Sequence, residues 1–231
     1  MPKIINIPTD KFGERADGVA PSLLIIHSIG MPVDSALDLL TANPREVSCH
    51  YLISSKGQIF SMVPEDKRAW HAGKSSWRGH KDINSTSIGI ELQWSDEHEA
   101  NEELDIPGPF PDVQMDALVE LCKAICARWH ITPENILGHS DIAPGRKRDP
   151  GERFDWKRLA TEGLALLPTR PLPMPPGGDL EELLARLGYD VRDPQAATIA
   201  FQRHYRQRDC TGLTDSETRS LLQWLVNKTG R

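Results

Sequence analysis

Between residues 168 and 178 the chain reads Pro168-Thr-Arg-Pro-Leu-Pro-Met-Pro-Pro-Gly-Gly178, a stretch that neither a helix nor a central strand accommodates. Each proline fixes φ and lacks an amide donor, so a run this dense in proline and glycine forms a semi-rigid extended connector. It divides the 231 residues into a first domain over 1–167, the connector over 168–178 and a small second domain over 179–231. Typical domains run from about 100 to 200 residues, so length allows one large domain or two small ones, and the punctuation favours two.

The first domain reads as α/β, with helices packed on a mixed central sheet. Alternation and turn residues predict strands at Leu23 to His27, His50 to Ser54, Gln58 to Val63 and Ser87 to Leu92. Ser55-Ser-Lys-Gly57 closes a hairpin between the second and third of these. Val113, Ala117, Leu121, Cys122, Ile125 and Trp129 share one helical face, and Ser35 to Leu40 and Trp156 to Leu166 read as shorter helices. Beyond the connector, Leu180, Leu183, Leu184 and Leu187 define a helix stopped by Gly188, and Ala196 to Tyr205 a second. Thr214-Asp-Ser-Glu217 reads as the capping box of a third that buries Leu221, Leu222 and Leu225. A three-helix bundle follows.

The formal net charge of −6 argues against a protein that coats phosphate backbones, and Arg146-Lys-Arg148 is too short a basic run to reverse this, so no nucleic-acid partner is expected. No apolar run approaches the roughly 18 residues of a transmembrane helix, and no protein partner is implied. The first residues, Met1-Pro-Lys-Ile-Ile-Asn-Ile-Pro, lack a secretory pattern. As written the chain is expected in the cytoplasm; the alternative is a periplasmic or outer-membrane-anchored protein whose export signal has been removed. The four cysteines form no framework, which fits a reducing compartment, and Cys122 and Cys126 are read as small packing groups.

Chemistry concentrates in Gly138-His-Ser-Asp-Ile-Ala-Pro-Gly-Arg-Lys-Arg-Asp-Pro-Gly151, where prolines and glycines predict an irregular loop. Loops on a rigid scaffold are where binding groups collect. Far upstream, Leu23-Leu-Ile-Ile-His27 ends a buried strand in a histidine just before Gly30. His27, His139 and Asp149 satisfy the recipe for catalytic zinc: three protein ligands from imidazole and carboxylate, with the fourth position left to water. In Ser87-Ile-Gly-Ile-Glu-Leu92, alternation sends Ile88, Ile90 and Leu92 to one face, and Ser87, Gly89 and Glu91 to another that small residues clear of bulk. Trp70 and His71 lie in a turn that presents an aromatic ring and an imidazole to substrate. His50 reads as a buried hydrogen-bonding residue or a cleft-lining one, and His80, His98, His130 and His204 have no context that singles them out.

His27, the pair His50-Tyr51, the run Ala69-Trp-His-Ala-Gly73, the strand carrying Glu91 and the loop from His139 to Gly151 occur in an order that resembles zinc-dependent N-acetylmuramoyl-L-alanine amidases. The similarity is strongest to the anhydromuropeptide amidases and their two-domain relatives, and Arg78, Asn84 and Ser87 fit that branch. The resemblance implies Zn2+ on His27, His139 and Asp149, Glu91 and Lys147 as catalytic residues, and Trp70, His71, Arg78 and Asn84 as substrate-binding residues. It implies hydrolysis of the amide between the lactyl group of N-acetylmuramic acid and L-alanine, with peptidoglycan or anhydromuropeptides as the partner. Two positions depart from the pattern: Ser28, where many relatives carry histidine or tyrosine, and Cys49, where related phage enzymes carry tyrosine. Leu187-Gly-Tyr-Asp190, Ala200-Phe-Gln202 and Asp215-Ser-Glu-Thr218 resemble a peptidoglycan-binding helical domain, which implies a separate wall anchor; the alternative is a helical cap that only stabilises the enzyme.

Overall fold

The computed structural model describes residues 3–16, 18–94, 108–173 and 178–231. His98 and connector residues 174–177 therefore lie outside the described residues. A six-stranded mixed sheet is built from β1 (Ile4–Asn6), β3 (Leu23–Ile29), β4 (Tyr51–Ile53), β5 (Ile59–Ser61), β7 (Ser87–Gln93) and β8 (Ile136–Gly138), in the order β1-β5-β4-β7-β3-β8. Only β4 and β5 are antiparallel, joined by the expected hairpin; β4, β7, β3 and β8 run parallel. Strands β2 (Phe12–Glu14) and β6 (Lys67–Ala69) pair separately.

The register decides where the chemistry lies. His27 of β3 pairs with Glu91 of β7, and β8 runs beside β3 until Gly138, so His139 leaves the sheet one residue later. Three candidate residues thus sit at the carboxyl ends of neighbouring parallel strands, the rim where α/β sheets leave a crevice for ligands.

Strand β3 is buried on both faces, as an unbroken apolar run requires. Leu24 and Ile26 join Ile88, Ile90 and Leu92 against α3 (Asp112–Trp129) and α5 (Trp156–Thr161). Leu23 and Ile25 face the other way, with Ala72, Trp77, Ile83 of α2 (Ile83–Thr86), Leu137 and Ile142. That second face is covered by the carboxyl-terminal bundle of α6 (Leu180–Leu187), α7 (Pro194–Tyr205) and α8 (Ser216–Thr229), through Leu184, Leu187, Tyr189, Phe201 and Leu222. Nearer β4 and β5, α1 (Val33–Thr41) covers it with Ala36 and Leu40.

The bundle therefore packs on the sheet. Its cluster is continuous with the sheet, and the resemblance-bearing Gly188 and Tyr189 are at the contact: Gly188 O accepts from Arg78 N at 2.9 Å, and Tyr189 lies edge-on to Trp77. A Cβ at Gly188 would meet Arg78 Cγ at 2.6 Å, where φ is +127°, so glycine permits this approach. Pro173 also meets the bundle, with Ser220 Oγ donating to Pro173 O. Burying one large aliphatic or aromatic side chain contributes about 1.5–3 kcal/mol, and several depend on this contact. Truncation before residue 179 is thus expected to lower the melting temperature or cause aggregation, measured against the full chain; equal melting temperatures would show that the first domain needs no cover.

Several expectations shift locally. Val113 is 52 % exposed rather than on the buried face of α3. Gln114 takes that place because its amide donates to Ile53 O and Gln93 O at 2.8 Å each. The cap of α8 is Asp215, accepting from Thr218 N, not Thr214; the carboxylate also pairs with Arg206. The helix expected to reach Leu166 ends at Thr161, and α4 (His139–Ile142) forms one helical turn inside the loop read as wholly irregular.

Candidate metal centre

His27 Nδ1, His139 Nδ1 and Asp149 Oδ2 converge, at separations of 2.8, 3.0 and 3.3 Å. These residues form a candidate metal site whose ligand atoms lie within 4.8 Å of one another. Two imidazole nitrogens and a carboxylate oxygen so close together bring lone pairs and one negative charge against each other, an arrangement stabilised by a cation. Their chemistry suits zinc, which takes imidazole nitrogen and carboxylate oxygen. His27 and His139 are 1 % and 3 % exposed, so their positions are fixed by packing.

The opposite ring nitrogens are also committed. His139 Nε2 lies 3.1 Å from Ala72 O, and His27 Nε2 lies 2.8 Å from His71 Nδ1. His71 Nε2 reaches Ser87 Oγ at 3.1 Å, and that hydroxyl donates to Ile83 O at 2.6 Å. One direction of donation satisfies the whole chain: His27 Nε2–H to His71 Nδ1, His71 Nε2–H to Ser87, Ser87 to Ile83. It leaves His27 Nδ1 unprotonated and facing the site, as a metal ligand requires. Burial, with the neighbouring His139, lowers the His27 pKa to about 4, and burial pushes His71 well below its ordinary value.

This network bears on two expectations. His71 is buried rather than displayed on an open turn. The face of β7 carrying Ser87, Gly89 and Glu91 is filled rather than cleared: a Cβ on Gly89 would lie 2.6 Å from the His71 ring and 2.9 Å from Cys49 Sγ. Glycine makes room for an imidazole. His50 is the buried hydrogen-bonding residue of the two readings, its Nδ1 accepting from Gly89 N at 3.0 Å.

Glu91 is partly buried, and its Oε2 has no hydrogen-bond partner. Burial, then the Asp149 carboxylate, pushes its pKa up to about 8, opposed by Lys147. Asp149 goes the other way: burial disfavours its charge, but His139 and His27 outweigh burial and hold the carboxyl well below the usual range. Two carboxyl groups are thus driven apart in acidity, the pattern of a proton acceptor beside a fixed ligand. Lys147 is exposed and lines a groove of about 230 Å³ with Arg146, Arg148, Ala196, Ile199 and Arg203.

The remaining positions are engaged elsewhere. Asn84 Oδ1 accepts from the backbone amides of His71 and Ala72 at 3.1 and 2.8 Å, so it shapes the turn behind the site. Arg78 is drawn to the bundle contact, donating to Leu187 O and to Asn135 Oδ1, which removes it from the converging cluster. Trp70 is half-buried near Gly13 of β2. Arg146, singled out in sequence only as part of the basic Arg146-Lys-Arg148 run, donates through its guanidinium to Ala72 O at 2.7 Å beside His139.

A profile of the N-acetylmuramoyl-L-alanine amidases matches residues 17–152, and the chain belongs to this family. It is 39% identical over 236 residues to N-acetylmuramoyl-L-alanine amidase AmiD of Escherichia coli, covering 90% of this chain and 83% of that one. It is 36% identical over 172 residues to the 1,6-anhydro-N-acetylmuramyl-L-alanine amidase AmpD of Citrobacter freundii, covering 67% of this chain and 87% of that one. Among solved structures, the complex of E. coli AmiD with the substrate anhydro-N-acetylmuramic acid-L-Ala-D-gamma-Glu-L-Lys superposes with a TM-score of 0.80 at 38% identity, over 94% of this chain and 93% of that one. AmpDh3 of Pseudomonas aeruginosa gives 0.80 at 29% identity, over 94% and 96% of the two chains. No described helix is long and apolar enough to cross a membrane.

Proposed function

We propose that this chain is a zinc-dependent amidase that hydrolyses the amide joining the lactyl group of anhydro-N-acetylmuramic acid to L-alanine. The convergence of His27, His139 and Asp149 beside an unpartnered Glu91 carries this reading. The substrate named for the AmiD complex and the 1,6-anhydro substrate named for AmpD support the choice of bond.

Zinc held by His27, His139 and Asp149 would act as a Lewis acid toward the scissile carbonyl and acidify water to a pKa near 7. Glu91, on the strand beside His27, accepts the proton of the attacking water and returns it to the departing amine; a carboxyl of raised pKa suits both transfers. Lys147 supplies positive charge to the oxyanion that develops on the carbonyl oxygen. His71 and Asn84 act behind the site, the former holding the His27 tautomer and the latter the turn that carries Ala72 O to His139. Trp70 and Arg78 are retained as substrate-binding proposals only for ligands long enough to reach beyond the metal centre.

The test is incubation of the zinc-loaded full chain with anhydro-N-acetylmuramoyl-tripeptide, and in parallel with intact sacculi, followed by labelling of newly freed amino groups. Release of a tripeptide with a free L-alanine amine is expected from the soluble substrate. Binding without release would instead identify a muropeptide receptor and overturn the proposal.

A further inference from the structure

The mechanism leaves one fully buried carboxylate without a task. Asp141 sits in α4, two residues beyond His139, with no exposed surface. Its Oδ2 accepts from Gly138 N at 2.7 Å and lies 2.8 Å from His204 Nδ1, while its Oδ1 accepts from Tyr189 OH at 2.6 Å. One of these donors belongs to the residue immediately before His139; the other two belong to the bundle. A buried charge is tolerable only when hydrogen bonds meet it, so the bundle provides the side chains that let a carboxylate stand here.

The donors are themselves held rigidly. The His204 ring stacks between Trp156 at 3.6 Å and Tyr205 at 4.0 Å, and Tyr189 is 4 % exposed against Trp77 and Phe201. The same stretch of chain also grips the far end of the metal loop. Arg203 pairs with Glu152 at 2.8 Å, and Gln207 donates to Glu152 O and Phe154 O at 2.9 and 2.6 Å. Ser140 N donates to Asp149 O at 2.9 Å, which ties the two ends together. Residues 203 to 207 therefore reach both Asp141, which holds Gly138 before His139, and the segment after Asp149.

We propose that Asp141 is a positioning residue for the metal centre, and that Tyr189 and His204 make the carboxyl-terminal bundle a structural part of that centre by fixing Asp141 and, through Gly138 N, the departure of His139 from β8. This rests on the reading that zinc occupies the cluster. Partners beyond the direct ligands set ligand orientation, and their loss typically costs on the order of 10–100-fold in metal affinity or activity.

The experiment uses the full chain and two readouts, the zinc dissociation constant from competition with a chromophoric chelator and the melting temperature of the metal-free protein. Tyr189→Phe removes one oxygen and no packing volume, and His204→Leu removes the imidazole donor. His204→Asn returns an N–H near the position of Nδ1. Zinc affinity is expected to fall about tenfold in Tyr189→Phe and in His204→Leu, and to recover toward wild type in His204→Asn. Wild-type zinc affinity in folded Tyr189→Phe and His204→Leu, with only the melting temperature lowered, would overturn the proposal and leave the cluster a plain packing contact. If His204→Leu fails to fold, Tyr189→Phe decides. Failure of the zinc reading itself looks different: wild type and His139→Ala would then give the same titration, with no bound zinc in either.

Discussion

Replacing His27, His139 or Asp149 by alanine is expected to give a folded protein without stoichiometric zinc, with amidase activity lowered by more than about a hundredfold, the upper range for loss of even an outer partner of a metal. The fold should persist because the sheet is held by two apolar clusters that do not include these residues. Metal retention should fail because three protein ligands leave no spare donor: His71, the nearest other imidazole, is directed at His27 and Ser87. Asp149→Ala carries a further signature. His139 and His27 hold the Asp149 carboxyl well below its usual range against the cost of burial, so the metal-free wild type gains stability above the ordinary carboxylate pKa and loses it as the pH falls toward the depressed value. The variant should lose that part of the pH dependence. Zinc content, near-ultraviolet circular dichroism and acid titration of the melting temperature check these outcomes; stoichiometric zinc and full activity in any one variant would remove that residue from the ligand set.

The metal cluster was legible because its members carry strong local signals. His27 ends an apolar strand, and His139 and Asp149 sit in a segment crowded with proline and glycine. Strand alternation also puts Glu91 on the face it shares with Ser87 and Gly89, and it pairs with His27. It did not show what fills the space over Gly89, because the occupant, His71, arrives from a turn 18 residues earlier in sequence, and local periodicity does not encode that contact. Arg78 and His204 illustrate the same limit from opposite sides. Arg78 matched a family pattern but is drawn to Leu187 and Asn135. His204 had no suggestive neighbours in sequence, yet meets Asp141 at a separation of 63 positions. The packing of the bundle on the sheet is likewise not encoded locally: it is written in Leu23, Ile25 and Leu137, residues that a strand core explains equally well until both faces of the sheet are seen.

Glu91→Gln and Lys147→Ala are expected to retain zinc and lose turnover. Glutamine keeps the shape of Glu91 but has no basic oxygen for a proton, and general acid–base groups contribute typically about 10²–10⁴-fold. Burial and Asp149 push the pKa of Glu91 up to about 8 in the metal-free chain. A bound dication favours the ionised form, bringing the carboxylate into its accepting state near neutral pH. Lys147 sits on the exposed loop with Arg146 and Arg148, yet its charge reaches Glu91 and His27. If it meets the developing oxyanion, Lys147→Ala should lower kcat by roughly a hundredfold, about 3 kcal/mol, the scale set by removal of single oxyanion donors. Both changes act on the transition state rather than on the bound substrate, so KM should change much less than kcat. Loss of zinc in folded Glu91→Gln would make that carboxylate a ligand. A Lys147→Ala variant with raised KM and normal kcat would make the lysine a contact for the carboxylates of the stem peptide, leaving the oxyanion to the metal.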